Sequence, residues 1–291
     1  MRYEETALAF HCGEAQLYGV LSAPAPSTAA ARGVLIVVGG PQYRAGSHRQ
    51  FTLLARALAA AGTPTMRFDY RGMGDSEGAP RDFADIDADL KAAIDHFFVI
   101  QPGLREVALW GLCDAASAIL FYAGADRRVG GVALLNPWAR TDQGIAKATL
   151  KHYYGRRLLE PAFWRKLIGG RFDALGAIRS AWRLIASARA GSGTPGDAGN
   201  PGNQGGSADS ALPARMYQGL KRFDGKVLLM LSGADLTARE FAGLAAAPHW
   251  QTLLATPRVT RRQLPGADHT CSKRVWHDQL VDWTISWLHA W

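Results

Sequence analysis

Cysteine is scarce in this chain. Cys12, Cys113 and Cys271 are the only three in 291 residues, and no two form a Cys-x-x-Cys pair. An odd, widely spaced set argues against a disulfide framework and against a structural zinc site, and it points to a reducing cytoplasm. Long apolar runs are also missing. No stretch approaches the roughly 18–20 residues that span a bilayer. The start of the chain, Met1-Arg2-Tyr3-Glu4-Glu5-Thr6, carries acids and no apolar h-region, so a secretory leader is not expected. Acidic residues are in deficit: 25 against 33 Lys and Arg, a formal charge of +8.

That excess raises the question of nucleic acid. Much of it falls in residues 139–190, where eleven Arg or Lys face three acids, Asp142, Glu160 and Asp173. No nucleic-acid motif accompanies it, so a solvated or anion-facing surface is the expectation. Hydrophobic content of 48% and charged content of 20% are ordinary for a globular protein, and the length suits one large domain or one with an insertion.

The pattern along the chain is strand and helix in alternation. Ala7–His11 and Gln16–Leu21 read as an antiparallel pair. Gly33–Val38 is a continuous apolar run, as expected of a strand buried on both faces of a parallel sheet. Helical spacing follows in Phe51–Ala61, a strand in Thr65–Asp69, and a helix in Asp82–Val99. Strands are expected at Glu106–Trp110, Val129–Leu135, Lys226–Leu231 and Arg258–Leu264, and helices at Cys113–Ala123, Thr237–Ala247 and Val275–Trp291. Such alternation predicts an α/β fold with a mainly parallel sheet and helices on both faces.

The interval after Trp138 breaks the alternation. Residues 138–190 read as a helical, basic cap. Residues 191–211, rich in Gly, Pro, Asn and Ser, read as a disordered connector, because such a run buries too little apolar area to offset its ordering entropy. Residues 212–224 return the chain to a core formed by 1–137 and 225–291.

Against that frame of strands, Gly111-Leu112-Cys113-Asp114-Ala115 falls at a sharp turn between a strand and a helix, the layout of a nucleophile elbow. Cysteine stands where serine is usual, and Ala115 where a second glycine is usual. The ordinary alternative is a buried thiol at a strand–helix junction. Two later strands add the partners that a nucleophile needs. Lys226–Leu231 runs into Ser232-Gly233-Ala234-Asp235, and Arg258–Leu264 runs into Pro265-Gly266-Ala267-Asp268-His269. Reactive groups gather at the carboxyl ends of parallel strands, and the chain order nucleophile, acid, histidine is that of one triad type. Cys113 would attack a carbonyl, His269 would take and return the proton, and Asp235 would hold the imidazole. Taken singly, Asp235 reads as a turn or helix cap and His269 as a surface residue. Asp114 works against a thiolate, and its direction is open at this point.

The loop Gly39-Gly40-Pro41-Gln42 offers backbone N–H groups to a developing oxyanion beside the N–H of Asp114. Pro41 has none to offer, so Gly40 or Gln42 is the candidate. His48 and Arg49 either cap the next helix or bind a polar group of the substrate. Asp69–Gly78 has glycines for a tight loop but no Walker lysine, so it reads as structural. Cys271 and the tryptophans Trp276, Trp283, Trp287 and Trp291 read as packing.

Taken together, Gly39-Gly40-Pro41, Asp69–Ser76, Gly111–Ala115, Asp235 and Gly266–His269 resemble the α/β-hydrolase superfamily. More narrowly, Gly39–Phe51 and Trp110–Ala118 resemble the first type of exosortase A system-associated hydrolase, bacterial proteins encoded beside exopolysaccharide and protein-sorting machinery. The resemblance implies an eight-stranded core, a helical cap, and hydrolysis of an ester or thioester without a cofactor or metal. The Cys113 and Ala115 departures argue against ordinary lipase activity. The basic cap points to an anionic, carrier-bound or CoA-linked acyl substrate. An acyltransferase using the same residues and a catalytically silent scaffold of the sorting system are the alternatives.

Overall fold

The computed structural model describes residues 2–25, 30–40, 42–139 and 206–291. Residues 140–205, which hold most of the expected basic cap and Gly-rich connector, lie outside the described residues. One compact unit comprises Met1–Ala139 with Pro213–Trp291, and a second comprises Arg140–Leu212.

The first unit is built on an eight-stranded sheet. Strands β1 (Arg2–Cys12) and β2 (Ala15–Ala25) form an antiparallel hairpin at one edge. Next come β3 (Arg32–Val37), β4 (Thr65–Phe68), β5 (Glu106–Leu112), β6 (Val129–Leu135), β7 (Lys226–Ser232) and β8 (Val259–Leu264). The order is β1-β2-β4-β3-β5-β6-β7-β8, antiparallel as far as β4 and parallel from there on. This is the expected α/β architecture with eight strands.

The apolar runs became the central strands because both of their faces are covered. Val34 to Val38 and Val107 to Leu109 are essentially inaccessible. Helix α1 (Gln50–Ala60) covers one face with Phe51, Leu54 and Leu58. The last helix, which carries Leu280, Val281, Trp287 and Leu288, packs into the same core. Helices α2 (Asp87–Ile100) and α3 (Asp114–Tyr122) follow β4 and β5. Beyond residue 205 come α4 (Gly206–Arg222), α5 (Leu236–Leu244), α6 (Pro248–Leu254) and α7 (Arg274–His289).

Several boundaries differ from expectation. The edge hairpin is much longer, since β1 is solvent-exposed along most of its length and so carries little apolar signal. The helix expected from Asp82 starts at Asp87, after a short 3-10 turn (Phe83–Asp85) capped by the Asp82 carboxylate, which accepts from the Ala84 N–H at 2.8 Å. Helix α4 begins inside the expected connector, so residues 206–211 are helical and the return segment 212–222 continues the helix. From Ala208 onward, the run of Ala, Leu, Met and Gln favours that state. Helix α6 had no counterpart in the sequence pattern.

The Asp69–Gly78 loop is structural, as expected. The buried Asp69 carboxylate accepts from the Arg44 N–H at 2.6 Å, pairs with the Arg44 guanidinium, and receives the Asp75 N–H at 3.4 Å. Gly74 lies at φ +52°, and a Cβ there would meet Asp69 Oδ2 at 2.3 Å. Trp276, Trp283, Trp287 and Trp291 pack against the core cluster. Among the described residues, no helix is long and apolar enough to cross a membrane.

Candidate active site

Strand β5 ends directly at Cys113, which takes φ 64° and ψ −125° before α3 begins. A residue with a side chain in that region is strained by roughly 1–3 kcal/mol, and such strain gathers at functional positions. The turn is this sharp because Gly111 lets strand and helix close up. A Cβ there would meet Ile119 Cδ1 at 2.7 Å and the Ala115 carbonyl carbon at 2.9 Å. Ala115 is itself fully buried, so a methyl group fits where a second glycine is usual. The Cys113 N–H donates to the Leu135 carbonyl, and its own carbonyl receives the N–H groups of Ala116, Ser117 and Trp138. The thiol is half-buried at the apex.

The β7 and β8 loops meet at the same end of the sheet. His269 Nδ1 lies 3.0 Å from Asp235 Oδ2, and the Cys113 thiol is close enough to help raise the imidazole pKa. The fold thus brings together Cys113, His269 and Asp235 from three separate strand ends. Asp235 is buried, and its Oδ2 also accepts the Ala238 N–H at 3.0 Å as the cap of α5. Both readings of this residue hold at once: it is a helix cap and a partner of histidine.

Their charges are mutually reinforced. Burial pushes the Asp235 carboxyl upward, but the His269 hydrogen bond and charge, with two backbone N–H groups, outweigh it and hold it below the usual range. Hydrogen bonds to Asp235 first and Cys113 second lift His269 to about 10, against the drag of burial.

The direction of Asp114 is now visible. Its Oδ2 accepts the Gly40 N–H at 2.8 Å and its Oδ1 accepts the Ala115 N–H at 2.9 Å. The carboxylate therefore sits on one of the N–H groups expected to serve an oxyanion. Gly39 makes room for it, since a Cβ there would lie 2.0 Å from Asp114 Oδ1. Burial raises the Asp114 carboxyl, and the Gly40 and Ala115 N–H groups only partly offset this. The side chain of Gln42 is occupied elsewhere, its Oε1 accepting the Ser47 N–H at 3.1 Å. His48 and Arg49 have positive φ, 53° and 60°, and Arg49 is the N-cap residue of α1, without a side-chain cap hydrogen bond. They line a cavity that begins beside Thr270.

Two residues had no assigned role. Asn136, just past β6, is wholly buried at φ 48°. Its Oδ1 accepts the Ser232 N–H at 2.8 Å, and its Nδ2 donates to Ser232 Oγ at 3.0 Å and to the His269 carbonyl at 3.1 Å. It ties the β7 end to the histidine loop. The visible signal was an Asn-Pro pair closing a strand. The second is Tyr70, buried near Asp114, whose phenol is pushed up to about 12 by burial first and the Asp114 charge second. Cys271 is buried, with its sulfur 3.8 Å from Ser232 Oγ, and burial raises its thiol to about 11. That is a packing thiol. Among the described residues, no group of three or more His, Cys, Asp or Glu could hold a metal ion.

A mainly parallel eight-stranded sheet, with a strained thiol elbow and an Asp–His pair at successive strand ends, defines an α/β fold of the hydrolase type. The chain belongs to the alpha/beta hydrolase family, whose model matches residues 34–282. It is similar to the quorum-quenching protein AidA of Acinetobacter baumannii, 33% identical over 114 residues, 37% of this chain and 36% of that one. It is also similar to polyketide transferase grgF of a Penicillium species, 34% identical over 90 residues, 29% of this chain and 30% of that one. These matches span about a third of each relative. Among solved structures, the esterase Pf2001 of Pyrococcus furiosus has the same fold. Its TM-score is 0.64 at 13% identity, covering 99% of this chain and 93% of that one.

Proposed function

We propose that the protein is an acyl hydrolase that opens an ester or thioester through a covalent intermediate on Cys113, with His269 as acid and base and Asp235 as its orienting partner. The observation that carries this reading is the 3.0 Å contact of His269 with Asp235, on a loop at the same end of the sheet as the strained Cys113 elbow. In the first half-reaction the Cys113 sulfur bonds to the acyl carbon, and His269 takes the thiol proton. The bond from carbon to the leaving oxygen or sulfur then breaks, and His269 gives that proton to the departing group. Water attacks the acyl thioester in the second half. His269 takes its proton and returns it to sulfur, and the free acid leaves.

The N–H groups of Asp114 and Gly40 are the proposed oxyanion donors. In the resting site the Asp114 carboxylate covers the Gly40 donor, so a substrate carbonyl has to displace it. Gln42 remains a candidate donor through its backbone. This displacement favours an activated acyl group over broad ester cleavage. The likeness of Gly39–Phe51 and Trp110–Ala118 to exosortase A system-associated hydrolases supports a role beside exopolysaccharide or protein-sorting machinery. The excess of Arg and Lys in residues 139–190 supports an anionic or carrier-linked acyl substrate.

A second reading, acyl transfer to an acceptor other than water, is favoured by the likeness to a polyketide transferase. Intact-mass analysis after exposure to an activated acyl ester tests both. Acylation that maps to Cys113, is absent in Cys113→Ala and is slowed in His269→Ala is expected. Labelling at Cys12 or Cys271 with Cys113 untouched would sink the proposal. No acylation at all would leave the silent scaffold. Products formed with and without an alcohol acceptor divide hydrolase from transferase.

A further inference from the structure

A cavity of about 430 Å3 opens between the first turns of α1 and α7, lined by His48, Arg49, Gln50, Thr270, Arg274 and His277 among others. Its size is that of a small-molecule pocket. Thr270, on its lining, directly follows His269 in the chain.

Three observations mark it as a built feature. Five non-glycine residues among those described have positive φ, and three of them, His48, Arg49 and Cys271, line this one cavity. The other two are Cys113 and Asn136, so backbone strain is confined to the active site and this annex. Next, Gln50 is only 7% exposed, and its Nε2 has no hydrogen-bond partner among the described residues. A buried, unmet donor costs about 1–3 kcal/mol, and turning the amide toward the cavity would let a ligand meet it. Finally, the lining is rich in donors. Arg49 and Arg274 are exposed guanidiniums, and neither α1 nor α7 has an acid in its first turn or a side-chain cap.

One lining residue is an acid, Asp278, which is paired with Arg274 (Nε at 3.4 Å); Asp268 nearby is bound by Ser272, whose N–H lies 2.9 Å from Asp268 Oδ1. His277 Nε2 lies 3.3 Å from the Gln50 carbonyl oxygen. Guanidinium and amide N–H groups donate and do not accept, so their natural ligand is acceptor-only.

We infer that this cavity is a subsite for an oxyanion, phosphate or carboxylate, carried on the leaving group of the acyl substrate. This rests on the acyl-hydrolase reading for its place in turnover, and the tests keep the two separable. In the first, Cys113→Ala protein is titrated with inorganic phosphate at constant ionic strength by calorimetry. Saturable binding is expected, and it should be lost on adding Arg49→Gln or Arg274→Gln. Gln50→Leu removes the buried, unmet donor, so it should keep the melting temperature while weakening phosphate binding.

In the second, the wild-type protein cleaves thioesters of one acyl group on a neutral N-acetylcysteamine arm, a phosphopantetheine arm and a carboxylate-ended thiol arm. An anionic arm should be preferred by up to about fivefold in kcat/KM, the worth of one partly exposed charge contact. The faster anionic arm tells phosphate from carboxylate, and Arg274→Gln should shrink the preference toward one. No phosphate binding, or equal kcat/KM on all three arms, overturns the subsite and leaves the hydrolase. Phosphate binding without turnover of any arm upholds the anion site and overturns the hydrolase.

Discussion

Replacing Asp235 separates its two duties, because one carboxylate oxygen serves both. Asp235 Oδ2 is 3.0 Å from His269 Nδ1 and 3.0 Å from the Ala238 N–H that opens α5. Asn is as good a helix cap as Asp, so Asp235→Asn keeps that contact. It loses only the charge assistance of the two hydrogen bonds, about 1 kcal/mol. Asp235→Ala loses the cap, about 1 kcal/mol. It also loses a hydrogen bond to a charged group, about 1.5–3 kcal/mol. The Ala variant should therefore be less stable than the Asn variant by roughly 2 kcal/mol. Activity should not follow that order. An amide cannot stabilise an imidazolium and permits the wrong tautomer, so both variants should fall by about 10^3–10^4-fold in kcat. Urea unfolding gives the first quantity and hydrolysis of an activated acyl ester the second. An Asn variant that keeps more than a tenth of wild-type kcat would refute the role given to Asp235. Equal stability loss in both variants would refute the capping argument.

Other expectations follow from the same site. His269 is raised from 6.5 to about 10, and a cation held more tightly in the folded state stabilises fully below 6.5 and loses that contribution as pH rises toward 10. The urea midpoint should fall across that window in the wild type and less so in His269→Gln; identical slopes would count against the pairing. Asp235 acts in the opposite window, since its lowered carboxyl stabilises above its usual 3.8 and loses that contribution as pH falls below it. Asp114→Ala frees the Gly40 N–H and should raise kcat/KM on small neutral esters, by up to about 10^2-fold. Gly39→Ala should destabilise by about 1–3 kcal/mol through its clash with Asp114. Part of that cost should vanish in Asp114→Ala, while the Ala115 backbone N at 2.8 Å remains in the way, and a double-mutant cycle without coupling would contradict the geometry. Asn136→Ala strands the Ser232 N–H and should cost about 1–3 kcal/mol, read as a lower melting temperature.

The central strands were legible because burial on both faces demands continuous apolar residues, as in Gly33–Val38 and Val107–Trp110. The edge hairpin was half-legible: β1 faces solvent along most of its length, so only its inner end alternates. Helix α6 escaped notice, being seven residues long with proline first. At the site, Cys113, Asp235 and His269 could be found because each lies just past a readable strand, and parallel strands send their carboxyl ends to one edge of the sheet. Asn136 could not, since its partners Ser232 and His269 lie 96 and 133 residues away.

The elbow shows where the division falls. The local order Gly111-Leu112-Cys113-Asp114-Ala115 determined that a nucleophile-capable thiol would stand at a strand–helix turn, because small neighbours are what such a turn requires. Only the tertiary structure decided what Asp114 does there. Its carboxylate reaches the Gly40 N–H, 74 residues back in the chain, and the contact exists because β3 and β5 are neighbours in the sheet. The cavity between α1 and α7 has the same origin. Two helices more than two hundred residues apart in the chain meet over one face of the sheet, and no pattern within either records the meeting.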